Sequence, residues 1–348
     1  MNTITQNIQN HGPVSVRDFM AEASAAYYQR PKVFGREGDF ITAPEISQVF
    51  GELIGLWVAI HWMSTGQPKH IHLVECGPGR GTLMADALRA TQGIPDFHHS
   101  IAIHLIETSA TLRKTQSETL HGSPVTWHET LETIPTGPMY VIGNEFLDAL
   151  PIDQFQYQDQ HWHHRHVFAQ NGGLEFSLGP LTTPPHHLLK DLRSPADGDI
   201  LECNLQSEVF ISDLSKRIAT QGGAGLFFDY GYNAPNYGET LQAVSQHAYV
   251  ETLSSPGEVD LTAHVNFGRI CDVATKAGAK AYGPVPQGTW LARMGLEQRI
   301  ESLQASASPE QIKTLRKGVQ RLVDPQSMGR LFKTIAICHP QSHPPEGF

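Results

Sequence analysis

Several apolar runs of this 348-residue chain end in an acid. Ile71-His72-Leu73-Val74 leads to Glu75, residues 101–106 lead to Glu107, and 139–142 lead through Gly143 and Asn144 to Glu145. Residues 223–228 lead to Asp229, and Asp148 follows Glu145 closely. A carboxylate can accept hydrogen bonds from hydroxyls, hold an ammonium or the planar guanidinium fork, and take up a proton. After Glu75 comes Cys76-Gly77-Pro78-Gly79-Arg80-Gly81-Thr82, with glycine at every second position. Glycine tolerates positive φ and lets a ligand approach the backbone.

The spacing of that turn separates chemistries. A dinucleotide fingerprint is G-x-G-x-x-G with pyrophosphate at the helix N-terminus. Here Gly77, Gly79 and Gly81 are one residue closer, with Pro78 inside, and no Walker-type G-x-x-x-x-G-K-[ST] is present. Glu75 would repel a pyrophosphate but suits an amine or sulfonium. An apolar strand, Glu, then G-x-G-x-G resembles the first motif of class I S-adenosylmethionine (SAM) methyltransferases. Glu107 sits where such sheets bind ribose hydroxyls. Asn144, Glu145 and Asp148 are the best candidates for substrate contact.

These residues need a doubly wound α/β sheet to bring them together. Strands are expected at 71–76, 101–107, 124–128, 139–143, 223–231 and 330–338, with helices from about 14, 44, 82, 109, 210, 260 and 309. Pro44 suits a first helical turn. Gly51 and Gly55 in the second helix weaken it by ~1 kcal/mol each, which implies close backbone packing. Glu45, Gln48 and Glu52 share its polar face, expected to meet water. Residues 152–182 alternate as antiparallel strands do. Their tract His161-Trp162-His163-His164-Arg165-His166 throws its histidines onto opposite faces, so no metal is expected. The expected division is a 1–64 N-terminal helical lid segment, a core of 65–151 and 200–338, a β-rich insertion at 152–199 and a tail at 339–348.

Composition narrows the partners. Hydrophobic content of 40% suffices for a core, and a net charge of −10 without a basic block argues against nucleic acid. No apolar run reaches the ~20 residues of a membrane helix. Four dispersed cysteines fit a reducing compartment. Residues 1–20 lack signal- and transit-peptide character, so a cytoplasmic location is expected.

With these residues in view, the chain resembles the MidA-type family of SAM-dependent methyltransferases. The resemblance rests on residues 38–48, 50–55, 75–84, 144–151, 229–231, 260–263 and 328–333. Cys76, where Leu would be usual, and the histidine tract depart from it. It implies a Rossmann-like class I methyltransferase sheet with helices on both faces, an N-terminal helical lid and a β-rich insertion. SAM is the implied cofactor, with Glu75, Gly77, Pro78, Gly79, Gly81, Thr82, Glu107 and Asn144 holding it, and Asp39, Phe40, Thr42 and Pro44 closing over it. Mitochondrial members are protein-arginine methyltransferases that assist complex I assembly. A protein acceptor, such as a complex I subunit, is therefore implied, with Glu145, Asp148 and Asn144, then Glu45 and Asp229, as catalytic candidates. A homodimer is a further partner that the sequence leaves open. A dehydrogenase, a non-catalytic SAM-binding assembly protein and a small-molecule methyltransferase stay open as alternatives.

Overall fold

The structure is a computed structural model that describes residues 3–30, 42–190, 192–246 and 248–348. The chain divides into two compact units. One comprises Ile41–Phe146, Phe210–Gly231 and Ile270–Phe348 and carries the main sheet; the other comprises Met1–Phe40, Leu147–Val209 and Tyr232–Arg269. This differs from the expected division, because residues 42–64 belong to the sheet unit. Asp39, Phe40 and most of the expected lid loop lie outside the described residues.

In the sheet unit the strand order is Lys280–Pro286, Phe332–Cys338, Gly223–Tyr232, Met139–Asn144, Ile71–Cys76, Ile101–Ile106, Val125–His128. Neighbours from Gly223–Tyr232 to Val125–His128 pair in parallel, while Phe332–Cys338 is antiparallel to both its neighbours. The parallel strands are apolar because helices cover both faces. The order reverses between Ile71–Cys76 and Met139–Asn144, and such a switch point opens a crevice at the strands' carboxyl ends. The expected strands from 71 to 144 thus stand, and Lys280–Pro286 is a strand that the sequence pattern did not reveal.

Helix Gln48–Ser64 packs on helix Thr82–Thr91 through its glycines. A Cβ on Gly51 would lie 2.8 Å from Asp86 Cβ, and one on Gly55 would lie 2.6 Å from Ala87 Cα. Ser47, at φ −156° and with its side chain accepting from Val49 N–H, separates this helix from the short Ala43–Ile46 turn. Hence the single helix expected from residue 44 is two. Glu52, expected to meet water, is fully buried: Arg89 and Arg299 donate to its carboxylate at 2.8–3.0 Å. The expected 339–348 tail also packs on this unit, since Trp57 Nε1–H donates to Glu346 O (3.1 Å).

The other unit holds antiparallel strands Asp153–Gln158, His161–Gln170 and Gly173–Leu181. Its core joins Phe19, Met20, Ile152, Val167 and Leu261. Residues 3–11, ahead of the first expected helix, form a helix that buries Ile4 and Ile8. Asp260–Thr262, expected to start a helix, is a strand paired with Gln242–Ser245; the helix begins at Phe267. In the histidine tract, His164 Nε2 meets Asp153 Oδ1 at 2.8 Å. Among the described residues no helix is long and apolar enough to cross a membrane.

Candidate active site

The glycine turn leaves the Ile71–Cys76 strand with three residues in the left-handed region: Gly77 at φ +61°, Gly79 at +52° and Gly81 at +81°. Larger residues are strained there. Gly77 is also crowded, because a Cβ would lie 3.3 Å from the Phe146 ring. Gly81 N–H donates to Pro78 O (2.7 Å), which closes the turn, and helix Thr82–Thr91 follows at once.

Glu75 is buried beneath this turn. It accepts a backbone hydrogen bond from Met84, and Oε2 has no hydrogen-bond partner among the described residues. Burial, helped by the nearby Asp86 charge, raises its pKa to about 8. A carboxylate left this way is poised to be paired by a cation. The orphaned oxygen and the glycine cradle fit a ligand that carries an ammonium or sulfonium against bare backbone.

Glu107 follows the Ile101–Ile106 strand and is also buried. Oε1 accepts from Ser109 N–H (2.8 Å) and Oε2 from Gln116 Nε2 (3.1 Å). Burial raises its pKa, against the pull of these donors. Each oxygen retains capacity for a further donor, as ribose binding requires.

Across the switch point, Glu145 follows the Met139–Asn144 strand with φ +51°. A non-glycine residue in this region stores strain of roughly 1–3 kcal/mol, and such residues cluster at functional sites. Its N–H is fixed to Phe228 O (2.9 Å). Asn144 Nδ2 donates to Glu145 Oε1 (3.1 Å), while the buried Asn144 Oδ1 has no partner among the described residues. Asp229 adjoins Phe228, is buried and accepts from Tyr230 N–H (3.0 Å).

Thus the fold gathers Glu75, Gly77, Pro78, Gly79, Gly81, Thr82, Glu107, Asn144, Glu145 and Asp229 at one end of the parallel strands. Glu45 is placed differently from its expected catalytic role. Oε2 pairs with Arg80 (3.2 Å) and Oε1 accepts from Thr82 Oγ1 (2.5 Å), so it braces the glycine turn. Thr42 precedes the turn that carries the buried Pro44. Asp148 belongs to the other unit, where it is buried and its carbonyl accepts from Ala263 N–H (3.0 Å). In that unit Tyr28 OH donates to Asp260 Oδ1 (2.9 Å), and the Asp260 and Asp148 charges add to burial in raising the Tyr28 pKa. Sequence reasoning passed over Gln116, whose helix is polar and whose burial only the tertiary structure reveals.

A family model described as S-adenosyl-L-methionine-dependent methyltransferase matches residues 53–285. A Drosophila melanogaster relative, named protein arginine methyltransferase NDUFAF7 homolog, mitochondrial, is 36% identical over 98% of this chain and 86% of its own length. The Homo sapiens protein arginine methyltransferase NDUFAF7, mitochondrial, is 34% identical over 95% of this chain and 81% of its own. In fold, the chain matches a COG1565 superfamily member from Burkholderia thailandensis bound to S-adenosyl-homocysteine, with TM-score 0.84 and 24% identity. The match covers 99% of this chain and 94% of that one. The relatives also correct the expected cytoplasmic location, since their names point to mitochondria. That expectation rested on the character of residues 1–20, and a folded domain of this kind suits either compartment.

Proposed function

The chain belongs to the S-adenosyl-L-methionine-dependent methyltransferase family, and from this premise we propose that it methylates an arginine side chain of a protein acceptor. The observation that carries the arginine reading is Glu145, a carboxylate held on strained backbone at the switch point and oriented by Asn144. The names of the relatives support the same acceptor class. A subunit of respiratory complex I is the acceptor we favour, as the family resemblance implies.

SAM, when bound, supplies an electrophilic methyl group. Glu75 would neutralise the cationic amino-acid end, Glu107 would hold the ribose, and the glycine turn would lie against the ligand. A guanidinium is a poor nucleophile because its pKa exceeds about 12. Glu145 offsets this by holding the fork bidentately and accepting the proton that one nitrogen loses. Asp229 is the further carboxylate assigned to the acceptor; Glu45 is assigned to the turn, and Asp148, in the other unit, is given no role. The direct test offers radiolabelled SAM and arginine-containing complex I subunits to the protein. Label on arginine supports the reading; label on another residue type, or none on any protein, overturns it.

Glu107→Ala should weaken S-adenosylhomocysteine by roughly tenfold or more, because buried donors lose their partner along with the ribose. Calorimetric titration checks this, and an unchanged affinity would remove Glu107 from the site.

Glu75 predicts a pH dependence. Its raised pKa means that the free protein holds a proton that the unfolded chain has lost. Its contribution to stability is therefore present below the ordinary glutamate range and lost as pH rises towards about 8. A bound ammonium favours the carboxylate and draws the pKa down. Binding should then release a proton, and affinity should rise with pH up to about 8. Calorimetry in buffers of different ionisation heat counts that proton. Its absence in wild type, or its persistence in Glu75→Gln, would contradict the role.

A further inference from the structure

Gln116 is fully buried on the otherwise polar helix Ala110–Thr119. Its amide meets three different strands' carboxyl-end features. Nε2 donates to Gly79 O (2.8 Å) in the glycine turn and to Glu107 Oε2 (3.1 Å). Oε1 accepts from Trp127 Nε1–H (2.9 Å) on the Val125–His128 strand. Both amide hydrogens are used, and the orientation is forced. A carbonyl and a carboxylate can only accept, and an indole can only donate, so turning the amide over would break every contact. The helix also abuts the turn: a Cβ on Gly81 would lie 3.6 Å from Gln116 Cα.

We infer that Gln116 is a positioning residue that sets the Glu107 carboxylate and the glycine turn in mutual register for the ribose of the cofactor. This rests on the reading that Glu107 takes the ribose hydroxyls. Ser109 N–H holds one carboxylate oxygen and Gln116 the other. The rotation of the carboxylate, and so the direction of its remaining lone pairs, is fixed by these donors. Without Gln116, Oε2 loses its side-chain donor and the Gly79 carbonyl loses the link that ties it to Glu107. The ribose hydroxyls would then meet a carboxylate free to turn, and part of the ligand's hydroxyl recognition would disappear.

The test is calorimetric binding of two ligands, S-adenosylhomocysteine and its 2′,3′-dideoxy analogue, to wild type, Gln116→Leu, Trp127→Phe and Glu107→Ala. Wild type should prefer the hydroxylated ligand. Gln116→Leu should weaken S-adenosylhomocysteine by about tenfold and the dideoxy analogue much less, so that the preference shrinks. Trp127→Phe, which removes only the indole donor, should shrink it less and serves where Gln116→Leu does not fold. Equal weakening of both ligands by both variants, or no weakening at all, would overturn the positioning role while leaving Glu107 in place. If wild type binds the two ligands equally and Glu107→Ala changes neither, the ribose reading itself fails and Gln116 falls with it.

Discussion

Glu145→Gln should lower methyl transfer by roughly 10²–10⁴-fold with S-adenosylhomocysteine affinity close to wild type. The substitution keeps the size of the side chain and one carbonyl oxygen, so Asn144 Nδ2 keeps an acceptor. The backbone bond from residue 145 N–H to Phe228 O is untouched, and so is the strained φ of +51°. What disappears is the charge opposite the guanidinium and the site that takes its proton. Neither is needed by the cofactor, whose assigned contacts are Glu75, Glu107 and the glycine turn. A fall in both turnover and cofactor affinity would mean that the variant disturbs the strand end. Normal turnover on an arginine acceptor would exclude Glu145 as the proton acceptor. Raising the pH distinguishes loss of a base from loss of orientation, because hydroxide partly replaces a base but cannot orient a fork.

What the sequence disclosed depended on the range of the interaction. The parallel strands were legible because burial on both faces makes them apolar runs, and Glu75, Glu107 and Glu145 were legible because they stop those runs. Gly51 and Gly55 announced a tight helix contact, since nothing local favours two glycines in one helix. Glu52 was misread because its partner Arg299 is 247 residues away. Gln116 was invisible for the same reason: its partners Gly79, Glu107 and Trp127 meet it only once the strands pair. The 3–11 helix was missed because only Ile4, Thr5 and Ile8 of nine residues are buried, too few for a clear period. Glu45 was read as a water-facing acid and a second catalytic candidate, and the turn it braces lies 35 residues on.

Gly55→Val should destabilise the protein by about 3 kcal/mol or more. A Cβ on Gly55 would sit 2.6 Å from both Ala87 Cα and Ala87 O. These are backbone atoms, so no rotamer change relieves the clash and the two helices must separate. Valine gains roughly 0.5 kcal/mol or less over glycine in helix propensity, which does not offset this. Overpacking typically costs about 1–3 kcal/mol, more when the backbone must move. At roughly 2–4 °C per kcal/mol for a domain of this size class, the melting temperature should fall by about 6 °C or more. The damage should reach the cofactor as well. Helix Thr82–Thr91 starts directly after the glycine turn, and its Met84 N–H holds Glu75. A displaced helix therefore loosens both, and S-adenosylhomocysteine should recover part of the lost stability less effectively than in wild type. Gly93→Ala is the control: among the described residues no heavy atom outside its chain neighbours lies within 4 Å of its added Cβ, so its melting temperature should stay near wild type. A Gly55→Val protein that melts with the Gly93→Ala control would show that the two helices do not need the contact, and the packing argument for both glycines would be lost.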